Sequence, residues 1–366
     1  MSQTSTAPVA TGSSASGGGP RGTRRTGRTG RLARWAPWAC FAGAAVVVGV
    51  LWPLFDLNVA LFVLYTVVLG TLAVYLLTRS LEGPRRATDR LVTCLVVSAF
   101  GLAMVPLVSL VWEVVSRGAA RLDGEFFNSS LVGIVGEGGG AYHAIMGTLV
   151  ITALTTLISV PIGLMTAIFL VEYARGRLKR AITFLVDVMT GIPSIVAGLF
   201  AYALFAIFFG PGIRLGIMGA IALSVLMIPV VVRSAEEVLK LVPNELREAS
   251  YALGVPKWRT IVKVVVPTSI AGLGTGVTLA IARVVGETAP LLITLGITNA
   301  TNLDPFDGRM ATLPVYAYYQ LTQPGVPPQL AIDRAWTAAL VLIILVMGLN
   351  VVARLISRFF APKSGR

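Results

Sequence analysis

The sequence predicts an all-α protein, built as a polytopic bundle of transmembrane helices. Of its 366 residues, 55% are hydrophobic and only 13% are charged, and the mean hydropathy is +0.80. A helix needs about 20 apolar residues to cross a bilayer, and a backbone in lipid must form its hydrogen bonds within its own segment. Apolar runs of that kind occur at 36–55, 57–78, 91–115, 143–171, 181–209, 213–232, 267–296 and 335–356.

The basic residues predict the orientation of these helices. Of the 30 Lys and Arg residues, 24 lie before the first run, after residue 353, or in segments 79–90, 175–180 and 233–263. Positive residues accumulate on the cytoplasmic side of a membrane, so both termini are predicted to be cytoplasmic. This topology also accounts for the net charge of +13 without a nucleic-acid partner. Arg283 lies within a run, and five arginines are predicted on the outer side: Arg117, Arg121, Arg214, Arg309 and Arg334.

The first 90 residues are predicted to be peripheral to function. Residues 1–34 combine Ser, Thr, Gly and Ala with six arginines, a composition typical of a disordered cytoplasmic tail. This tail either sets the topology alone or also contacts anionic lipid. Residues 35–90 are predicted to be a two-helix hairpin with a charged linker, and neither helix carries an ionisable residue at mid-depth. The remaining six runs form the second unit, 91–360.

The fifth run contains a proline that interrupts helical hydrogen bonding. Pro193 frees a carbonyl group, which is tolerated only against protein or water. Thr190 and Ser194 are spaced i,i+4 and are expected to place two hydroxyls on the same helix face. Two interpretations stay open, a kink for packing and a polar lining of a substrate path. Asp187, near the inner boundary, is expected to pair with a nearby Arg or Lys.

The polar segment at 235–267 predicts a compact helix–turn–helix. Pro243 suits the first turn of a helix, and Gly254 suits the left-handed residue that ends it. Pro256 begins a second short helix. Two apolar or small faces are expected, Leu246 with Ala249, Ser250 and Leu253, and Trp258 with Ile261 and Val262. An amphipathic loop at the membrane interface is the alternative.

The seventh run carries a charged pair, Arg283 and Glu287. An arginine within the hydrocarbon costs about 2.5–3.5 kcal/mol on insertion scales, so it should face the bundle interior and have a partner. Glu287, one turn later, is expected to supply that partner. At about 1.5 Å per residue from Pro267, Arg283 lies roughly 24 Å along the helix, in the outer half of the membrane. The pair either lines an anion path or only locks two helices together. Gly272, Gly276 and Ala280 share one face for close helix packing.

Several short motifs resemble the permeases of bacterial ABC importers. Glu248-Ala-Ser-x-x-x-Gly254, followed after nine residues by Val264-x-Val-Pro267, resembles their EAA loop, with Ser250, Val264 and Val266 as departures. The stretch from Ala282 to Leu292, Ala-Arg-Val-Val-Gly-Glu-Thr-Ala-Pro-Leu-Leu, resembles the phosphate-specific permeases of the PstA type. The same family resemblance extends to Gly147-Thr148, Ile168-x-Leu-Val-Glu-Tyr173 and Gly191-Ile-Pro-Ser-Ile-Val-Ala-Gly-Leu199. It covers roughly 91–360, an ABC importer permease core of six helices, but not the tail or the N-terminal hairpin.

This resemblance implies a permease subunit of an ATP-driven phosphate importer in the bacterial plasma membrane. The implied partners are a homologous permease of the PstC type, two ATPases of the PstB type and an extracytoplasmic phosphate-binding protein of the PstS type. The chain has no GxxxxGK[ST] loop, so we expect ATP hydrolysis in a partner and neither catalysis nor a cofactor here. The implied ATPase-coupling residues are Glu248, Ala249, Ser250 and Gly254. The implied substrate path contains Arg283, Glu287 and Thr288, to which the residue pattern adds Thr190 and Ser194.

Two alternative functions stay open at this point. One is an ABC permease for another oxyanion, such as molybdate or sulfate. The other is an ion-coupled secondary transporter that uses Arg283 and Glu287 as a relay, although inverted repeats typical of such transporters are not visible in the sequence.

Overall fold

The computed structural model describes residue 33 and residues 35–55, 58–134 and 136–360. Nearly all of the predicted tail, and Asp56 and Leu57 in the turn of the predicted hairpin, lie outside the described residues. Within the described part the regular structure is helical throughout. The chain divides into two compact units, Met1–Val108 and Ser109–Arg366.

The first unit contains α1 (Ala36–Phe55), α2 (Val59–Leu81) and most of α3 (Pro84–Gly118). The side chain of Asn58 caps α2 by accepting a hydrogen bond from the N–H of Leu61 at 2.9 Å. Helices α1 and α2 pack closely, because Gly70 leaves room for the ring of Phe41 where a Cβ would overlap it. Most other side chains of these helices are exposed and apolar, as expected for helices that face lipid.

The second unit contains the end of α3 and eleven further helices. In chain order these are α4 (Gly124–Asn128), α5 (Tyr142–Ile168), α6 (Gly176–Thr190), α7 (Ser194–Phe209), α8 (Gly216–Lys240), α9 (Asn244–Ala252), α10 (Lys257–Thr260), α11 (Val266–Val285), α12 (Ala289–Thr294), α13 (Leu313–Thr322) and α14 (Pro328–Phe360).

The predicted polytopic helical bundle is confirmed. Among the described residues, six helical segments are long and apolar enough to cross a membrane, and α6 with α7 adds a seventh if this bent pair counts as one span. Helix α1 is apolar over the shorter stretch Ala36–Leu51. The six segments are Leu61–Leu81, Pro84–Arg121, Tyr142–Tyr173, Gly216–Lys240, Lys257–Val285 and Pro328–Leu355.

The fifth predicted run is not one continuous helix. Helix α6 ends at Thr190, α7 begins at Ser194, and the two axes are bent by 105°. The break follows from Pro193, which has no N–H to donate, together with Gly191 two residues earlier. Thr190 and Ser194 therefore lie on either side of a break, and the expectation that their hydroxyls share one helix face is wrong.

Small residues bring the central helices of the second unit into close contact. A Cβ on Gly163 of α5 would lie 2.6 Å from Val231 of α8. Similarly, a Cβ on Gly276 of α11 would lie 2.7 Å from the Cβ of Ser234 of α8. Gly272 approaches α8 in the same way, one turn earlier. Helix association in lipid depends on such close packing, and the predicted small-residue face of α11 is confirmed as its contact with α8.

Candidate functional site

The 241–260 loop, between α8 and α11, is the predicted helix–turn–helix. Helix α9 ends in a turn at Gly254, whose φ is +75°. There the N–H of Gly254 donates to the carbonyl of Tyr251 at 2.9 Å, and the N–H of Val255 donates to the carbonyl of Ser250 at 3.2 Å. A glycine in the left-handed conformation with these two hydrogen bonds is the Schellman motif, which commonly ends an α-helix. Pro243 precedes the first residue of α9 and does not lie within its first turn.

The loop is held together by a buried pair of hydroxyls. Ser250 on α9 and Thr260 on α10 are both buried, and their side-chain oxygens are 2.8 Å apart. The expected face of Leu246, Ala249, Ser250 and Leu253 is not a buried stripe, since Ser250 alone points inward and Leu253 is 83% exposed. Trp258 and Val262 are likewise exposed while Ile261 is buried, so these three do not form one buried face.

The loop therefore presents apolar side chains to its surroundings. Leu241, Leu246, Leu253 and Trp258 are all exposed, and so are Glu248 and Ala249. Exposed large apolar residues clustered on a short loop are typical of a surface that contacts either a protein partner or the membrane interface.

A buried ion pair that the sequence analysis missed connects this loop to α5. Arg247 on α9 contacts Glu172, which lies in the wide helical turn Phe169–Tyr173 directly after α5. The Nη2 and Nε atoms of Arg247 donate to Oε1 of Glu172 at 2.9 and 3.0 Å, and the two side chains are only 12% and 6% exposed. Arg247 also donates to the carbonyls of Val242 at 2.6 Å and Leu239 at 3.1 Å. One side chain thus joins α9, the end of α8 and the end of α5.

Lys257 strengthens the same junction from α10. Its ammonium donates to the backbone carbonyl of Glu172 and lies 4.7 Å from the centre of the Tyr173 ring. The sequence signal for this junction was Glu172, an acidic residue at the end of an apolar run. The sequence does not identify its partners, because Arg247 and Lys257 lie far along the chain.

A second charged cluster lies at the end of α8. The buried carboxylate of Glu236 accepts from Arg233 at 2.9 Å and from Lys240 at 2.8 Å. Arg233 also pairs with Asp187 on α6. The predicted pairing of Asp187 with a basic residue is confirmed, and this ion pair attaches α6 to α8.

Arg283 lies in the last turn of α11 and is exposed. Helix α11 ends at Val285, and the N–H of Glu287 donates to the carbonyl of Val284 at 3.1 Å in the turn that follows. Within the described part of the chain, no hydrogen bond or ion pair engages the guanidinium of Arg283. The predicted pair with Glu287 is wrong because the helix stops between the two residues.

The turn after α11 is held against α7. A Cβ on Gly198 would lie 2.6 Å from the Cα of Pro290, so α7 and α12 touch through their backbones. Glu287 and Thr288 immediately precede this contact and are half-buried. Ser194 lies one turn before Gly198 on α7, whereas the hydroxyl of Thr190 donates to the carbonyl of Val186 within α6.

The loop and Arg283 belong to one helical segment. Lys257–Val285 is helical over 29 residues, so about 39 Å separates the start of α10 from Arg283 at 1.5 Å per residue. Near its end this segment carries an arginine that has no carboxylate partner among the described residues, and such a side chain is suited to binding an anion.

The comparisons with known proteins agree with this geometry. A family described as binding-protein-dependent transport system inner membrane component matches residues 159–366. The phosphate transport system permease protein PstA 1 of Mycobacterium tuberculosis is 47% identical over 292 residues, which cover 79% of this chain and 93% of that protein. The phosphate transport system permease protein PstA of Pasteurella multocida is 37% identical over 283 residues, which cover 76% of this chain and 97% of that protein.

A solved structure with the same fold is that of a bacterial ABC transporter involved in the import of the acidic polysaccharide alginate. Its TM-score is 0.52 at 12% identity, and the match covers 75% of this chain and 97% of that chain. At this level of identity the likeness concerns the fold alone.

Proposed function

The chain belongs to the family of binding-protein-dependent transport system inner membrane components, and on that premise we propose that it is a permease subunit of an ATP-driven importer of inorganic phosphate. The chain is a multi-pass membrane protein, and it is a transport subunit and not an enzyme. The observation that carries the choice of phosphate is the identity of 47% to a phosphate permease over most of both chains. The exposed Arg283, in a chain of this family, supports an anionic substrate.

In this proposal the 241–260 loop is the contact with the ATPase. Glu248 and Ala249 lie exposed beside the apolar side chains of the loop, where a partner groove reaches them. Ser250 acts from inside, since its bond to Thr260 keeps α9 and α10 together. Gly254 makes the turn between the two helices possible. ATP-driven closure of the partners then displaces the loop together with α11.

The phosphate path runs past Arg283. Its guanidinium offers planar, bidentate hydrogen bonding to an oxyanion, which a lysine does not. Glu287 and Thr288 follow in the adjacent turn, and Ser194 and Thr190 flank the break before α7. Phosphate must also leave this part of the path, so a single arginine suits release at Arg283 better than several arginines at the same point would.

The chain works with the other components of an ABC transporter, namely a second permease, an ATPase and a binding protein. We propose that these are of the PstC, PstB and PstS types, with two copies of the ATPase. Both termini are proposed to be cytoplasmic, given the distribution of Lys and Arg. Residues 1–34 and 35–90 are proposed as additions to the transport core at 91–360.

The test is uptake of radiolabelled phosphate by the complete transporter in proteoliposomes. Wild-type complex should import phosphate in an ATP-dependent manner, and excess molybdate or sulfate should not compete. Arg283→Ala should reduce uptake to background while the complex still assembles. Arg117→Ala is the matched control, because Arg117 is exposed and its charge is offset by Glu113. Normal uptake by Arg283→Ala would remove Arg283 from the path, and preferred uptake of another oxyanion would refute the substrate.

A further inference from the structure

The five arginines predicted on the outer side are not equivalent. Three of them either pair with a carboxylate or are buried. Arg117 pairs with Glu113, and Arg121 pairs with Asp123 at 3.2 Å. Arg334 is buried and donates to the carbonyl of Gly138 at 2.9 Å. The other two, Arg214 and Arg309, have a different environment.

Arg214 and Arg309 meet above Gly296. Arg214 comes from the segment before α8, Arg309 from the segment before α13, and Gly296 from just after α12. A Cβ on Gly296 would lie 2.8 Å from Cδ of Arg214 and 3.4 Å from Cδ of Arg309, so the two Cδ atoms are at most about 6 Å apart. The φ of Gly296 is +70°, a conformation that favours glycine. The backbone here therefore leaves room for two arginine side chains to converge.

Arg214 is held in a defined position. Its Nη1 donates to the carbonyl of Ile293 at 2.7 Å and to that of Leu292 at 3.2 Å, both in the last turn of α12. These bonds offset the partial negative charge at that helix end but leave the guanidinium with its full positive charge. Arg309 is exposed and therefore accessible to a ligand.

Within the described part of the chain, neither the guanidinium of Arg214 nor that of Arg309 forms an ion pair with a carboxylate. Asp304 and Asp307 lie in the same segment as Arg309, yet Asp304 instead accepts from the N–H of Phe306 at 2.9 Å. Because the Cδ atoms of the two side chains are at most about 6 Å apart, both guanidinium groups can reach one anion, which would offset the repulsion between their charges. Arginine is weakly hydrated and binds oxyanions through two parallel hydrogen bonds.

We propose that Arg214 and Arg309 form a second oxyanion site, which phosphate occupies before it reaches Arg283. The inference rests on the proposed function, since that function supplies the ligand. Helix α12 begins directly after Thr288 and ends just before Gly296, so it separates the two sites by about 9 Å along its axis. Gly296 with its two arginines thus lies at one end of α12, and the residues of the proposed path lie at the other.

The experiment measures modification of individual arginines by phenylglyoxal in the purified complete permease–ATPase complex, without the binding protein. Rates are followed by mass spectrometry in inorganic phosphate and in chloride at equal ionic strength. When the phosphate concentration is about ten times the dissociation constant of this site, phosphate should slow the modification of Arg309 about ten-fold by mass action. Arg117 in the same sample is the internal control and should react equally in both salts. Equal rates for Arg309 in both salts would overturn the proposal.

Two variants distinguish an oxyanion site at these arginines from a docking surface for a protein. Arg309→Gln should abolish the protection of Arg214 by phosphate, and Arg309→Lys should retain part of it. Arg309 is exposed, so neither change disturbs packing. Protection that appears only after the binding protein is added would instead assign the two arginines to a docking surface, against the proposal.

Phosphate uptake by the wild-type complex distinguishes failure of this inference from failure of the proposed function. If the wild-type complex imports phosphate while Arg309 stays unprotected, only the second site is refuted. If the wild-type complex does not import phosphate, the proposed function fails whatever the protection pattern is.

Discussion

Removal of the Arg247 side chain should disconnect the 241–260 loop from the end of α5. Arg247 and Glu172 form a pair that is only 12% and 6% exposed, and the residues are 75 positions apart in the chain. Breaking a buried pair by removing one partner costs about 3–5 kcal/mol, because the other charge remains buried and uncompensated. The carbonyls of Val242 and Leu239 would also lose a donor. We therefore expect Arg247→Ala to destabilise the loop locally by about 3–5 kcal/mol, or on the order of a hundred-fold or more in its opening equilibrium.

Hydrogen exchange on the assembled complex measures this opening directly. Backbone amides of 241–260 should exchange on the order of a hundred-fold faster in Arg247→Ala, with α14 unchanged. Arg259→Ala is the matched control, because Arg259 lies on the same loop and its contact is the ring of Trp258, 5.2 Å away. Phosphate imported per ATP hydrolysed should fall in Arg247→Ala and stay normal in Arg259→Ala, since only the first disturbs the connection to α5.

A double-mutant cycle decides whether the pair itself is responsible. If Glu172 and Arg247 act together, the double variant Glu172→Gln with Arg247→Ala should be little worse than Arg247→Ala alone. Additive effects of the two changes, or unchanged exchange in Arg247→Ala, would refute the role of this pair in holding the loop.

Two further predictions concern glycines. Gly254→Val should strain the turn by about 1–2 kcal/mol, because φ is +75° there, and should weaken ATPase binding in a pull-down of the assembled complex; full binding would show that the turn tolerates a side chain. Gly276→Val should force α11 away from α8, since even a Cβ at this position would lie 2.7 Å from the side chain of Ser234. We expect a lower yield of folded complex in size-exclusion chromatography. The control is Gly348→Ala on α14, where the added side chain meets open space. Equal yields for the two variants would contradict the packing argument.

Features that depend on neighbouring residues were predictable from the sequence. The apolar runs predicted the helical bundle, because about 20 apolar residues are required wherever a helix crosses a bilayer. The turn at Gly254 was predictable because glycine is suited to positive φ. The small-residue face at Gly272 and Gly276 was predictable from helical periodicity, although the sequence did not identify α8 as its partner.

The tertiary structure alone decided which distant residues meet. Arg247 binds Glu172, which is 75 positions away in the chain, and the side chains of Arg214 and Arg309 both pack beside Gly296. Local periodicity also failed where a helix stops. Glu287 follows Arg283 at the helical spacing, but α11 ends between them, and the bend at Pro193 separates Thr190 from Ser194. Sequence spacing predicts a contact only while one helix continues, whereas ion pairs between helices depend on how the whole bundle packs.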